Sequence, residues 1–264
     1  MSRYRKPHLR CADCRMHRSL CICALLPRLE TRTRVVLLLH QLEVVKPTNT
    51  GLIAARCLVN SAVVYRGRAP REGVAAAHAP DAAPGDGATI EEQAARLAAA
   101  IPSGARAAFL FPHASATPLA SFAADGAPMT LVVPDGTWSQ AARARSRLGR
   151  ALGLPCVTLP GEAGDVGADA PAAFGRLRAP TRPGRLATLE ALALALGVLE
   201  GSAIQDELMR VFRVMTDRTL WTNGRLAREA VTGGVPSAAR SHDPLGTTGD
   251  GPEGPRDRRT RAAS

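Results

Sequence analysis

The chain lacks any apolar run as long as a membrane-spanning helix requires. Its nearest candidate, residues 186–199, is interrupted by Glu190 and followed by Glu200, and it has the periodicity of a buried or amphipathic helix. The N-terminus is polar and rich in arginine, with no apolar stretch after it, so no secretory signal is visible. We therefore expect a cytoplasmic protein with reduced thiols and no membrane partner.

A dinucleotide-binding fingerprint is also missing, because Gly85 and Gly87 lack both a third glycine and a preceding strand. Lysine occurs only at positions 6 and 46, so arginine carries most of the net charge of +11. Residues 1–34 contain nine basic and two acidic residues. A second basic block follows at Arg143, Arg145, Arg147 and Arg150. Such concentrated positive charge favours a nucleic-acid partner over a purely compositional excess of arginine.

Four cysteines lie within thirteen residues of the basic N-terminal segment, in the pattern C-x2-C-x6-C-x-C: Cys11, Cys14, Cys21 and Cys23. In a reducing compartment, one tetrahedral Zn²⁺ explains them more economically than disulfides do. The C-x-C pair is tighter than the usual zinc spacing, so His8 or His17 is an alternative ligand in place of one thiolate. The other two cysteines, Cys57 and Cys156, are predicted to be core residues.

Aliphatic runs alternate with helical segments along the chain, which predicts an α/β three-layer sandwich with a mostly parallel sheet. Strands are predicted at 35–39, 61–65, 107–111, 129–133 and 156–159, and helices at 51–58, 89–100, 137–150, from 188 onward and at 202–220. Thr89 with Glu92 has the spacing of a capping box, Thr188 is expected to cap its helix, and Ser202 with Gln205 is expected to open the last one. We expect three parts: a small zinc knuckle in residues 1–30, a main domain in 31–225 and a disordered tail in 233–264.

Residues 129–150 read as a strand, a tight loop and a helix, and Thr137 with Gln140 has the spacing of a capping box. A loop between a buried strand and a helix N-terminus favours an anionic ligand, although an ordinary connection is the alternative. Polar residues also follow the first strand, among them His40, Glu43, Asn49 and Thr50. They indicate either the ligand-bearing edge of a parallel sheet or a solvated loop in which Asn49 and Thr50 cap a helix.

Six short blocks, spread in order over about residues 11–220, together resemble the DTW-domain family. They are the four-cysteine pattern, Leu39-His40-Gln41 with Glu43, Asn49-Thr50-Gly51, Leu110-Phe111-Pro112, Asp135-Gly136-Thr137-Trp138 and Thr188-Leu189-Glu190-Ala191. That family comprises tRNA-uridine aminocarboxypropyltransferases. The resemblance implies transfer of the 3-amino-3-carboxypropyl group of S-adenosylmethionine to a tRNA uridine, with release of methylthioadenosine, and a knotted, SPOUT-like fold.

Two positions depart from the family pattern. Phe174 stands where the resemblance leads us to expect a tyrosine, with Arg176 and Arg178 nearby, so a hydroxyl role is in doubt there. Pro134, directly before Asp135, stiffens the loop and removes an amide donor.

The donor's amino-acid end carries a carboxylate and an ammonium, so its site needs groups of both kinds. We expect amides near Gly136, Thr137 or Thr188, with Arg182 or Arg185, to hold the carboxylate. Asp135 or Glu190 is expected to face the ammonium. Phe111 and Pro112 are expected to border the adenosine, and the Thr188 junction is expected to lie beside Asp135.

Asp135 is also the first choice for the general base that deprotonates uridine, unless it only orients the substrate. Trp138 either stacks on a ligand or packs as a core staple. The residues expected to contact tRNA are His40, Glu43, Asn49, Thr50, Arg143 and Arg147. Two other functions stay open: a SPOUT-type RNA methyltransferase, which would release S-adenosylhomocysteine, and a zinc-containing RNA-binding protein without catalysis.

Overall fold

A computed structural model describes residues 9–44, 46, 49–67, 88–159 and 186–242. Within these residues, six strands form one sheet in which every pairing is parallel. The strands are β1 (Arg34–His40), β2 (Ser61–Arg66), β3 (Arg106–Leu110), β4 (Thr117–Pro118), β5 (Met129–Asp135) and β6 (Cys156–Thr158). Their order is β2-β1-β5-β3-β6-β4, so β5 is inserted between β1 and β3. The carboxyl ends of these strands meet at one edge of the sheet.

Helices connect the strands and cover the sheet. They are α1 (Thr50–Cys57), α2 (Ile90–Ala100), α3 (Leu119–Phe122), α4 (Trp138–Ala144), α5 (Thr188–Glu200) and α6 (Ser202–Thr222). A π-helical turn, Arg145–Gly149, continues α4. None of the described helices is both long and apolar enough to span a membrane.

The central strands β1, β3 and β5 are mostly buried on both faces, which explains their continuous apolar runs. Successive strand residues point to opposite faces. Val35 and Leu131 pack in a cluster with residues of α1, α5 and α6, whereas Val36 and Val132 pack with residues of α2 and α4. The sheet is thus the middle layer of an α/β fold with helices on both sides.

The cysteine-rich segment packs on the α6 side of the sheet. Its Cys14, Leu20 and Ile22 are buried in the same cluster as Phe212 and Trp221 of α6. Two short 3-10 helices, Arg18–Leu20 and Cys23–Leu25, shape the segment. A parallel bridge between Leu29 and Leu58 then links it to the end of α1. The segment is therefore built onto the core of the main domain.

Three predicted helix starts are confirmed by hydrogen bonds. The Asn49 side chain accepts from the Leu52 amide at 2.8 Å, which caps α1. Reciprocal capping boxes begin α2 and α4, formed by Thr89 with Glu92 and by Thr137 with Gln140. Local sequence determines these starts because both partners of each bond lie within one turn.

Three local predictions need correction. Thr188 does not cap α5: Ala187 is the cap residue, and the Thr188 hydroxyl bonds elsewhere, to Asp135. Ser202 does not cap α6, which follows Gly201 without a side-chain cap bond. Strand β4 and helix α3 were absent from the predicted elements, and at two and four residues they are too short for a periodic pattern.

Of the predicted disordered tail, residues 233–242 are described, and they include a 3-10 helix, Ser237–His242. Residues 243–264 lie outside the described residues, as do the predicted site residues Arg182 and Arg185. The segment with Phe174, Arg176 and Arg178, the histidine at position 8 and the Gly85–Gly87 pair also lie outside them. The predictions that concern these residues stay predictions.

Candidate functional site

Asp135, the last residue of the inner strand β5, binds two other elements through its carboxylate. The Thr188 hydroxyl at the start of α5 donates to Oδ1 at 2.6 Å, and the Asn49 amide donates to Oδ2 at 2.6 Å. Only 7 % of Asp135 is exposed. Burial raises the pKa of this carboxyl above its ordinary value, against the opposing effect of the two hydrogen bonds.

Gly51 allows α1 to approach this carboxylate closely. A Cβ at position 51 would lie 2.7 Å from Asp135 Oδ2 and 3.0 Å from a methyl carbon of Leu37. Next to it, Thr50 Oγ1 accepts a hydrogen bond from the Leu189 amide at 3.4 Å. The N-termini of α1 and α5 therefore meet at Asp135, which confirms that the Thr188 junction lies beside it.

A small, open cleft of about 90 Å³ lies next to this junction. Its lining is mostly apolar and comes from the ends of β3 and β5, from α4 and from the start of α5. The lining residues are Leu110, Phe111, Pro112, Val133, Pro134, Gly136, Trp138, Ala141, Leu186, Thr188 and Ala191. Five of the predicted site residues are thus brought together: Phe111, Pro112, Gly136, Trp138 and Thr188.

Trp138 borders this cleft and is not a core staple. It remains 37 % exposed, and its ring lies 5.4 Å from that of Phe111, tilted by 58°. A tilted aromatic pair at this spacing is a favourable arrangement. The two rings together present an apolar wall on which a flat or cationic group can pack.

Backbone amides at the starts of α4 and α5 already donate hydrogen bonds to side chains of the protein. The Thr137 amide donates to Gln140 Oε1 at 2.7 Å, and Gly136 makes room for Gln140, since a Cβ there would lie 2.8 Å from that oxygen. The Ala187 amide donates to Glu190 Oε2 at 2.8 Å. These contacts stabilise the starts of α4 and α5. They also leave fewer backbone amides that can donate to a bound anion.

Glu190 is buried, with 3 % exposed, and its described hydrogen bond is made to the first turn of its own helix. Glu43 is also buried and lies 2.5 Å from the Lys46 ammonium nitrogen. The predicted roles of Glu190 toward an ammonium and of Glu43 toward tRNA stay predictions. Asn49 and Thr50 lie at the junction itself, where they connect α1 to Asp135 and to α5.

A basic surface lies at the same carboxyl edge, on the side of β1 and β2. His40 and Arg66 end these strands and are aligned in the strand register. Burial and then the Arg66 charge lower the pKa of His40, and the pKa of Arg66 is lowered by burial and by the charges of Arg147 and Arg143. Arg143 and Arg147 are one helical turn apart. Repulsion among these cations indicates a surface suited to an anionic partner.

Arg66 was not among the predicted site residues. Its position as the last residue of a strand that pairs with the His40 strand is the signal that could have found it. Gly51 was predicted only as part of a family block, and its contact with Asp135 depends on the tertiary fold.

The four cysteines of the N-terminal segment converge, with all four Sγ atoms within 4.8 Å of one another. The Cys11–Cys23 and Cys14–Cys21 pairs are 3.6 and 3.8 Å apart. A zinc ion with Zn–S bonds of about 2.3 Å requires edges of about 3.8 Å between the sulfurs of a regular tetrahedron. The cluster can therefore bind one zinc ion through four thiolates.

The chemistry of these thiols also fits a metal. Burial raises the pKa of Cys14 to about 11 and that of Cys23 higher still, whereas the amides of Cys14 and Asp13 outweigh burial at Cys11 and lower its pKa to about 7. A cation among the sulfurs favours ionisation of all four. His17 Nδ1 lies 2.7 Å from Ser19 Oγ, two residues later in the same short turn. The four cysteines converge without His17.

The family model of the DTW domain matches residues 8–220. The chain belongs to the DTW domain family. That family is known as one of tRNA aminocarboxypropyltransferases. The matched span includes the cysteine cluster, so the cluster is part of the DTW domain here. Searches of curated proteins and of solved structures found no match.

The DTW blocks meet at one edge of the sheet although they are far apart in the sequence. Asp135 is bonded to Asn49, 86 residues before it, and to Thr188, 53 residues after it. Phe111 and Trp138, which belong to two further blocks, pack against each other in the wall of the cleft. The cysteine block lies apart, between α1 and α6.

Proposed function

We propose that this DTW-domain protein transfers the 3-amino-3-carboxypropyl group of S-adenosylmethionine to a uridine in tRNA. The observation that carries the proposal is the convergence of four DTW blocks around one cleft beside the buried Asp135 carboxylate. Family membership supports the reaction class. The cleft, the basic surface and the metal cluster then suggest a role for each group of residues.

The cleft suits the donor. Phe111 and Pro112 form part of its apolar wall, against which an adenine ring can stack. The face of Trp138 is a favourable neighbour for a cation such as a sulfonium. When bound, the donor supplies the aminocarboxypropyl group and leaves as methylthioadenosine. Thr188 lines this cleft, and the hydrogen bond to Asp135 fixes the position of its hydroxyl.

The geometry favours an orienting role for Asp135. Both of its oxygens already accept hydrogen bonds from the protein, while its neighbours Pro134 and Gly136 and its partner Thr188 line the cleft. By accepting from Asn49 and from Thr188, this carboxylate holds the starts of α1 and α5 in a fixed relative position. A preorganised site requires such support. The role of general base stays a prediction for the same residue, and its raised pKa is compatible with it.

The basic surface suits tRNA. We propose that Arg143 and Arg147, with Arg66 and His40, contact phosphates that flank the uridine, because His40 and Arg66 lie at the same carboxyl edge of the sheet as the cleft and the two other arginines lie near Arg66. The family resemblance further implies a SPOUT-like, knotted chain path. The four cysteines are proposed to hold a structural zinc ion.

The proposal is tested by incubating the protein with tRNA and S-adenosylmethionine labelled in the aminocarboxypropyl group. Mass spectrometry of digested tRNA should find a uridine that carries this group, together with one equivalent of methylthioadenosine. A methylated nucleoside with S-adenosylhomocysteine would instead identify a methyltransferase. Tight tRNA binding without donor binding, measured by calorimetry, would identify a non-catalytic RNA-binding protein.

A further inference from the structure

Arg218 of α6 is a buried arginine whose hydrogen bonds are made to main-chain oxygens. Only 3 % of it is exposed. One guanidinium nitrogen, Nη1, donates to the carbonyls of Leu20 and Cys21 at 3.2 and 2.8 Å. On its other side, Nε and Nη2 donate to the carbonyls of Gly234 and Gly233 at 3.2 and 3.4 Å. The side chain thus joins α6 to the cysteine segment and to the chain after α6.

Within the described part of the chain, no carboxylate oxygen lies within ion-pair distance of this guanidinium. The neighbouring Asp217 accepts instead from the Thr232 amide and hydroxyl, at 3.1 and 2.6 Å. Moving an unpaired cation from water into a protein interior costs several kcal/mol. Carbonyl oxygens offset part of this cost, but they carry no net charge.

A metal centre of four thiolates supplies the missing charge. Zinc with four ionised cysteines has two net negative charges, and it would lie next to the carbonyl of Cys21 that Arg218 already holds. No other described arginine combines such deep burial with contacts to this segment.

We propose that Arg218 is a positioning residue of the four-cysteine metal centre and acts as its buried counter-charge. The inference rests on the proposed zinc centre. It also explains why the N-terminal segment is held against α6: an anionic centre and a buried cation about two hundred residues away in the chain stabilise each other. Metal binding and docking of the segment are then one coupled event.

The test measures metal affinity in the full-length chain and needs no turnover. Zn²⁺ affinity is obtained by competition with a chromophoric chelator, and Co²⁺ substitution reports the thiolate ligands through its charge-transfer absorption. Arg218→Gln should lower the affinity about 10- to 100-fold, the usual range for residues that support metal ligands. Arg218→Lys keeps the charge but lacks the planar fork that bonds four carbonyls, so it should lower the affinity by less than about tenfold and clearly less than Arg218→Gln does.

Arg210→Gln is the matched control. Arg210 also joins α6 to the cysteine segment, since it donates to the Leu25 carbonyl at 3.1 Å, but it is partly exposed and paired with Glu207 at 2.9 Å. Its replacement should leave metal affinity within about threefold of native, because an exposed ion pair contributes little. An equal loss in Arg210→Gln and Arg218→Gln would overturn the counter-charge role.

Two other results would also overturn the inference: unchanged affinity in Arg218→Gln, or a loss in Arg218→Lys as large as that in Arg218→Gln. If Arg218→Gln does not fold, the lysine variant decides, and about a tenfold loss there contradicts a role based on charge. Failure of the zinc proposal itself looks different, because the native protein would then bind neither metal at one equivalent.

Discussion

Replacing Asp135 by asparagine tests the centre of the candidate site, because it removes the charge and keeps the shape. The carbonyl oxygen of the new side chain can still accept from Asn49, and its amide can donate to Thr188 if that hydroxyl rotates. Hydrogen bonds to a charged group contribute about 1.5–3 kcal/mol each, and neutral ones about 0.5–1.5. The exchange therefore loses about 2–3 kcal/mol of hydrogen bonding, while it relieves the burial of a carboxylate, which costs several kcal/mol.

The raised pKa of Asp135 indicates that the cost of burial is the larger effect. We therefore expect Asp135→Asn to have a free energy of unfolding at neutral pH equal to or above that of the native protein. A raised folded-state pKa means that this carboxyl contributes stability below its unfolded value near 3.8, and that the contribution is lost as pH rises through the folded value. The native protein should thus lose stability relative to the variant as pH rises above about 4.

Denaturant unfolding of both proteins across this pH range measures the difference. Asp125→Asn is the control: Asp125 is exposed and paired with Arg106 at 2.7 Å, so its replacement should change stability little at any pH in this range. If the native protein instead gains stability over Asp135→Asn as pH rises, the hydrogen bonds outweigh burial and the reasoning is refuted.

Activity should fall in the same variant although the fold is kept, which is the pattern of a residue retained for function. An orienting role predicts that Asp135→Asn and Thr188→Val each reduce turnover, and that the double variant is little worse than either. A general-base role predicts a loss of about 10²–10⁴-fold and removal of the acidic limb of the pH–rate profile in Asp135→Asn alone. Near-native turnover in Asp135→Asn would contradict both roles.

Three further predictions concern the surroundings of this residue. Gly51→Ala should lower the free energy of unfolding by about 1–3 kcal/mol, because its methyl group would lie 2.7 Å from Asp135 Oδ2; thermal unfolding measures this. The double variant Arg143→Gln/Arg147→Gln should weaken tRNA binding and reduce the slope of log affinity against log salt by about 1–2, as filter binding at several salt concentrations would detect. Trp138→Ala should weaken S-adenosylmethionine binding by about tenfold in calorimetry, through loss of the aromatic wall.

Matched variants separate these effects from general damage. Gly149→Ala adds a methyl group 3.7 Å from Phe109, an ordinary contact, and should not destabilise the protein. Arg225→Gln removes an exposed arginine after α6 and should leave the salt slope unchanged. Trp138→Phe keeps an aromatic face and should retain most of the donor affinity. Equal effects in a test variant and its control would contradict the corresponding prediction.

Local sequence alone determined much of this protein. The aliphatic runs gave the positions of five strands, and the pairs Thr89–Glu92 and Thr137–Gln140 gave two helix starts, because the groups that interact lie within one turn or one strand. The cysteine spacing likewise predicted a cluster that the fold assembles. The DTW blocks identified the family, which the match over residues 8–220 confirms.

Tertiary structure alone decided which of these groups meet. Threonine is a common cap residue, yet the Thr188 hydroxyl donates to the Asp135 carboxylate. A hydrogen bond to a charged group outweighs a local neutral one. The contacts of Gly51 and Arg218 have no local signal, because each acts on residues that only the tertiary fold brings near. Sequence patterns report interactions within a few residues, whereas the candidate site depends on contacts across 53 to 86 residues.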